Sequence, residues 1–407
     1  MIMGFREESK WWVSPSNYEP EVTSKFEFPE KIEFLDTTLR DGEQQPGIIF
    51  TKDEKVAIAK RLDQAGVQRI EAGTPAALQE DAEAIKEITS LGLNADIYAF
   101  VRNMVKDMEL AKSCGVDGVI AEVVGSEHLL KVGQRWDVDR AIKAAREATT
   151  AGHEMGMKVT FFPADSSRAD LNYLIDLVGS VKDGGHIDSL TLVDTFGVLS
   201  PEGTAHRVKS LRKAFPGLPI ELHVHDDFAM GVSTAIAGLA AGASVVHTTV
   251  NGIGERAGGA PMEPLALALE AMYGQSSGLH TKEFKGLSEF VAACARVPVP
   301  PTKPITGDKI FLWETGLPSN LWLNVKDEDP LIMLPYHWDM TGHRMPELLM
   351  SKKSGVRNVE HWLEKLGLSV PEGKERDLLM AVKELSLDEH RTLNEEDFRR
   401  LVKQING

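Results

Sequence analysis

The sequence predicts an α/β fold, a (β/α)8 TIM barrel followed by a smaller, mostly helical C-terminal region. Three observations carry this expectation. From residue 31 onward short β-like runs alternate with amphipathic stretches, and strands alternating with helices imply βαβ units and a parallel sheet. Eight such units fit within about 240 residues, the count of a closed barrel. Neither GxGxxG nor GxxxxGK[ST] follows an early strand, so the doubly wound alternative lacks its phosphate-binding loop.

The strand candidates, in order, are IEFLDTT (32–38), QRIEAG (68–73), DIYAFV (96–101) and GVIAEVV (118–124), then KVTFFP (158–163), SLTLVDT (189–195), IELHVH (220–225) and VVHTTVNG (245–252). Between them, TKDEKVAIAKRLDQAG, DMELAKSCG and TAIAGLAAG each end in Gly, which suits a helix C-cap. Residues 1–30, rich in Trp, Pro and Glu, read as an N-terminal arm, and residues 31–295 as the barrel. The texture changes at VPVPPTKPITG, a Pro-rich link. Residues 296–407 read as this linker plus a helical subdomain, in which GKERDLLMAVKEL and LNEEDFRRLVKQI are polar with an apolar stripe.

Composition narrows the function. Of 407 residues, 42% are hydrophobic and 26% charged, as in a soluble globular protein. A net charge of −16 opposes general nucleic-acid binding, which needs surplus Lys and Arg. It says little about small anionic substrates, which respond to local fields. Cys114 and Cys294 form no CxxC pair or disulfide framework, and the expected home is a reducing cytoplasm. No apolar run approaches the ~20 residues of a membrane span.

In a parallel barrel, functional groups gather at the C-terminal ends of the strands, and the polar outliers fall there. Arg40 and Asp41 follow the first strand, Glu71 ends the second and Arg102 the third. Thr195 ends the sixth, His223 and His225 close the seventh, and Asn251 ends the eighth. Residues i and i+2 of a strand share a face, so two imidazoles of His223-Val-His225 can hold one cation. Asp41 would add a carboxylate and Asn251 an amide oxygen, a mixed donor set with room for substrate. Such open coordination suits Lewis-acid catalysis on a carbonyl. Arg40 beside it would stabilise an oxygen that gains negative charge. Glu71 either orients a water or partners Arg40. Thr195 either bonds a substrate carboxylate or caps a turn. Arg102 is either a carboxylate clamp or half of a structural ion pair.

These residues carry a family resemblance. FLDTTLRDGEQQPG (34–47), HVHDD (223–227) and NGIGERAGGAPMEPL (251–265), supported by IEAGTPA (70–76) and VDTFGVLSP (193–201), resemble the DRE-TIM metallolyases. The likeness is greatest to homocitrate, isopropylmalate and citramalate synthases and covers about residues 31–270. It implies a divalent cation (manganese, magnesium, zinc or cobalt) on Asp41, His223, His225 and Asn251. It further implies a 2-oxoacid whose ketone is polarised by Arg40 and whose carboxylate is held by Thr195. The GIGERAGG loop, with Gly254 and Glu255, would shape the entrance for an acyl-CoA. The implied reaction is a Claisen-type condensation of acetyl-CoA with the 2-oxoacid by a cytoplasmic homodimer.

The sequence departs from the synthase pattern twice. The fifth strand reads FFPAD, with Phe162 and Ala164 where these synthases carry Ser and Glu. WETGLPSN places Pro318 where their subdomain carries a His. Asp165, Tyr336, His337 and His343 are candidates to compensate. The departures leave open an aldol or retro-aldol lyase acting on a hydroxy-oxoacid or a 3-hydroxyacyl thioester at the same site. A binding protein without turnover is a third reading, opposed by the retention of Arg40, Asp41, His223 and His225.

Overall fold

The computed structural model describes residues 4–407. They form two compact units: Ser14–Val299, and Phe5–Val13 together with Pro300–Gly407.

The first unit is a closed barrel of eight parallel strands. These are β1 (Glu33–Asp36), β2 (Arg69–Glu71), β3 (Asp96–Arg102), β4 (Gly118–Val124), β5 (Lys158–Ala164), β6 (Ser189–Asp194), β7 (Ile220–Val224) and β8 (Val245–Thr248). Each coincides with an expected run to within a few residues. β8 closes on β1, with Val246 opposite Phe34 and Thr248 opposite Asp36. Around the barrel lie α1 (Lys52–Gln64), α2 (Gln79–Ser90), α3 (Val105–Ser113), α4 (Val138–Glu154), α5 (Leu171–Gly184), α6 (Pro201–Ala214), α7 (Gly231–Ala240), α8 (Met262–Tyr273) and α9 (Phe284–Ala295). The starts are written in the sequence. Thr51 and Glu54 form a capping box on α1, and Ser200 caps α6 ahead of Pro201, satisfying amide donors that a helix leaves unpaired.

Strand alternation divides the side chains between two environments. Leu35, Tyr98, Ile120, Phe162, Ala164, Val193 and Val245 fill the barrel interior. Phe161, on the opposite face of β5, is buried outside that cluster. Below the apolar layer is a polar floor. Arg69 pairs with Glu33 at 2.6 Å and with Glu221 at 3.0 Å, and His247 Nε2 lies 2.9 Å from the second Glu221 oxygen. The barrel is therefore a packed core, and chemistry is confined to its upper, C-terminal mouth.

The second unit contains α10 (Gly316–Val325), α11 (Val356–Leu366), α12 (Glu375–Asp388) and α13 (Glu395–Asn406). Phe311, Trp322, Leu331, Leu334 and Leu348 form one core. Val359, Trp362, Leu378, Val382, Phe398 and Val402 belong to another. The expected arm is divided between the units. Trp11 is buried and bridges to Tyr336 in the second unit, whereas Phe26 and Phe28 pack on Tyr273 of α8 in the first. The boundary between the units falls at Val299/Pro300, a few residues beyond the expected 295/296. Among the described residues, no helix is long and apolar enough to cross a membrane.

Candidate metal centre and active site

The turn after β1 builds one wall of the site. Asp36 is fully buried and accepts from Thr38 N at 2.9 Å and Thr38 Oγ1 at 3.0 Å. Thr37 O accepts from the N–H groups of Arg40, Asp41 and Gly42. This tight turn lifts Arg40 and Asp41 to the mouth and holds both side chains buried.

Asp41 faces the two histidines of β7. Its Oδ2 lies 3.7 Å from His223 Nε2 and 3.8 Å from His225 Nε2, and the two Nε2 atoms are 3.3 Å apart. Neither Asp41 oxygen has a hydrogen-bond partner. A buried carboxylate without donors, facing two imidazole nitrogens, is costly unless a cation neutralises it. Asp41, His223 and His225 together present one ligand atom each, and this donor set fits a divalent ion. The state of the ligands agrees. Burial pushes the His223 pKa well below its usual value, with His225 and Arg40 adding to the effect, so its ring is neutral and able to coordinate. His225 Nδ1 lies 3.0 Å from Gly258 O, an outer contact that fixes the ring with Nε2 turned inward. The loop can come this close because residue 258 is glycine: a Cβ there would stand 1.8 Å from Gly252 O. Gly254 also approaches closely, since a Cβ on it would meet Asp41 Oδ2 at 3.4 Å.

Arg40 is aimed by its neighbours. Its Nε donates to Glu71 Oε2 at 2.7 Å, its Nη1 donates to Gln44 Oε1 at 2.8 Å, and its guanidinium lies 4.4 Å from the Phe100 ring centre. Its Nη2 has no partner. Burial opposes the Arg40 charge, but Glu71 and Asp41 more than offset it and hold the pKa above the usual arginine value. Burial pushes the Glu71 carboxyl upward, with Arg40 pulling it back. Of the two readings of Glu71, the structure gives it the partnership with Arg40.

Thr195 follows β6 and accepts at Oγ1 from Asp165 N, at 2.7 Å. Its hydroxyl proton goes to none of the described residues. Asp165, one of the candidate compensators, is fully engaged. It accepts from Ser126 Oγ and from both Nε and Nη2 of Arg168, and lies 3.1 Å from His128 Nε2.

Three expected site residues lie elsewhere. Asn251, expected as a fourth ligand, has its side chain turned toward α9. Its Nδ2 donates to Ser288 O at 2.9 Å and its Oδ1 accepts from Ser288 Oγ. The chain has left strand geometry here, with Asn251 at φ +61°, so the period-two rule no longer aims its side chain inward. Arg102, expected as a carboxylate clamp, is largely exposed and makes a two-pronged ion pair with Asp107 at the start of α3, at 2.8 and 3.0 Å. Glu255 is exposed and sits 3.5 Å from Arg256. Sequence reasoning missed Gln44, whose signal was its i+4 spacing from Arg40, and the Gly258 carbonyl, which had none. It also missed Glu122, a lone acid in an apolar strand.

Comparison with known proteins places this geometry. The HMGL-like family model matches residues 31–291. Homocitrate synthase AksA of Methanothermobacter thermautotrophicus is 35% identical, over 98% of this chain and 99% of its own. 2-Isopropylmalate synthase 2 of Caldanaerobacter subterraneus subsp. tengcongensis is 33% identical, over 93% of this chain and 97% of its own. Among solved structures, the HMG-CoA lyase of Bacillus subtilis superposes with a TM-score of 0.61 at 19% identity, covering 67% of this chain and 96% of that one.

Proposed function

The chain belongs to the HMGL-like family, and we propose that it condenses an acyl-CoA, acetyl-CoA foremost, with a 2-oxoacid in a metal-dependent Claisen-type reaction. The observation that carries this reading is the unpartnered Nη2 of Arg40 beside the buried Asp41–His223–His225 cluster. A cation-binding cluster flanked by a free, permanently charged donor is what an oxygen gaining negative charge requires. The synthase names of relatives that match nearly the whole chain support it.

In the reaction, the thioester methyl loses a proton and its carbon bonds to the ketone carbon of the 2-oxoacid. The ketone oxygen takes up a proton, and water then cleaves the thioester to leave a 2-hydroxy-2-alkyl diacid and free CoA. Asp41, His223 and His225 would hold the divalent cation, which would supply Lewis-acid polarisation of the ketone. The mixed imidazole and carboxylate donors suit manganese, magnesium, zinc or cobalt. Arg40 donates from Nη2 to the ketone oxygen as charge develops there. Glu71 and Gln44 position Arg40 from its other nitrogens. Thr195 donates its free hydroxyl proton to the oxoacid carboxylate. The glycine-rich loop at 252–259 borders the cluster and shapes the thioester side.

The test is thiol release from acetyl-CoA against a panel of 2-oxoacids with added Mn²⁺ or Mg²⁺. Release that depends on the oxoacid and is lost by at least ~100-fold in Arg40→Ala is expected. No release with any oxoacid, in protein shown to bind the cation, overturns condensation and moves the assay to hydroxy-oxoacids and 3-hydroxyacyl thioesters, the substrates of bond cleavage.

A further inference from the structure

One acidic side chain in the barrel mouth has no assigned task. Glu122 lies on β4, two residues beyond Ile120, which points into the barrel interior; the period of two therefore turns Glu122 into the same space. It is only partly exposed. Among the described residues its carboxylate makes no hydrogen bond and no ion pair. Its charged neighbours are Arg40 and Glu71. Burial raises its pKa, with Arg40 opposing and Glu71 reinforcing the rise.

The strand order fixes where this carboxylate stands. Around the barrel the sequence is β8-β1-β2-β3-β4-β5-β6-β7, so β4 is diametrically opposite β8. The strands flanking β8 are β1 and β7, which carry Asp41 and the histidine pair. Glu122 thus faces the cluster from across the mouth. On β5, Phe162 stands opposite Glu122 and Ala164, with only a methyl, stands opposite Val124 one step higher. Phe162 meets Phe100 edge to face at 5.6 Å and His223 at 5.1 Å, an aromatic wall between β4 and the cluster.

The inference that follows rests on the condensation reading for the identity of the bound 2-oxoacid. A 2-oxoacid with its ketone at Arg40 and its carboxylate toward Thr195 sends its side chain across the mouth toward β4. We infer that Glu122 sets the substrate class: it selects 2-oxoacids whose chain end donates a hydrogen bond or carries positive charge, and rejects those that end in a second carboxylate. The charges support this. Arg40 is the cation that acts on Glu122, and Glu71 is the acid beside it. The oxoacid carboxylate then adds one negative charge, and a second carboxylate would meet Glu122 in a poorly solvated pocket where like charges repel strongly. A hydroxyl, amide or ammonium at that end instead gives the unpartnered carboxylate a donor.

The experiment measures binding by calorimetry to the full chain with saturating Mn²⁺, using 2-oxopentanoate, 5-hydroxy-2-oxopentanoate and 2-oxoglutarate, for the natural protein, Glu122→Gln and Glu122→Leu. Thermal melting of each variant confirms folding. The expected order places the hydroxy compound at least ~10-fold tighter than the alkyl one and 2-oxoglutarate weakest by ~100-fold. Glu122→Gln is expected to recover 2-oxoglutarate by at least ~10-fold, and Glu122→Leu to favour the alkyl compound. Equal or tighter binding of 2-oxoglutarate in the natural protein, or an order unchanged in both variants, overturns the inference. Thiol release from acetyl-CoA is read in parallel. Its failure with the expected binding order in place overturns condensation and leaves Glu122 as the selector. Release with an unchanged order overturns the role of Glu122 alone, and the absence of binding by all three compounds overturns both.

Discussion

Arg40 gives its Nε to Glu71 at 2.7 Å and keeps its Nη2 free. Glu71 therefore acts through Arg40: it fixes the plane of the guanidinium, whose Nη1 lies 3.8 Å from Asp41 Oδ1, and leaves Nη2 without a partner. A misplacement of about 1 Å in such a group can cost ~100-fold in rate. Glu71→Ala is expected to lower kcat by ~10- to 100-fold while leaving Mn²⁺ affinity within ~3-fold, because the carboxylate is not in the ligand set. Steady-state kinetics with metal calorimetry separate the two quantities. A large loss of metal affinity would make Glu71 a ligand and defeat the positioning role.

The cluster itself predicts a stronger effect. Replacing the Asp41 carboxylate leaves only the two imidazoles as donors, and loss of an outer contact to a metal ligand alone costs 10- to 100-fold in affinity. Asp41→Asn is expected to weaken Mn²⁺ binding by at least ~100-fold. The natural protein should melt higher with the cation than after chelation, since a ligand at 100 times its Kd adds ~2.7 kcal/mol to stability. Equal melting with and without Mn²⁺, Mg²⁺, Zn²⁺ and Co²⁺ would show that the three residues hold no cation.

Much of this site was legible in the sequence, for reasons that mark where legibility ends. Asp41, His223 and His225 could be read because strand alternation and the common end of barrel strands are periodic properties. Asn251 could not, because the strand stops at Thr248 and the chain curls through a left-handed residue. Arg102 shares strand parity with Tyr98 and Phe100, which face inward, yet it is the last residue of β3, where Asp107 in the next helix draws it outward. Glu122 reads locally as an acid in an apolar run. Its relation to Arg40 exists only once the closing order of eight strands is known. The polar floor of Arg69, Glu221 and His247 was hidden for the same reason.

Asp36 predicts a pH dependence of folding. Burial raises its pKa from 3.8 to about 7, against the hydrogen bonds from Thr38. For an acid whose folded pKa is raised, the folded state holds the proton longer than the unfolded chain. Stability from this group is full below pH ~4 and falls as pH climbs toward about 7, by up to roughly 4 kcal/mol at 1.36 kcal/mol per pKa unit. Urea unfolding of the natural protein and Asp36→Asn at pH 4 to 8 should show a decline that the variant lacks. Parallel curves would mean that Asp36 is ionised in the folded protein throughout.

Arg102 should matter little for catalysis. Its side chain is 60% exposed and is occupied by Asp107, and exposed pairs contribute about 0.2–1 kcal/mol. Arg102→Ala is expected to change KM for any accepted 2-oxoacid by less than ~2-fold. Asp107→Ala should destabilise more, because this buried carboxylate also accepts from Arg102 N at 3.4 Å. A tenfold rise in KM for Arg102→Ala would restore it as a substrate clamp.

Asn251 offers the sharpest separation between a ligand and a structural role. Its amide ties the end of the eighth strand to α9 through both the carbonyl and the hydroxyl of Ser288, and its N–H donates to the buried Glu263 at 2.9 Å. It also occupies a left-handed conformation that asparagine tolerates better than most residues. Asn251→Ala removes the side-chain bonds, leaves buried partners unpaired and strains the backbone. The expected cost is ~1–3 kcal/mol of stability, with Mn²⁺ affinity changed by less than ~3-fold. Denaturant unfolding and metal calorimetry on one preparation read both numbers. Loss of metal affinity by ~100-fold with stability retained would return Asn251 to the coordination sphere, and would require its amide to turn away from Ser288 when the cation binds.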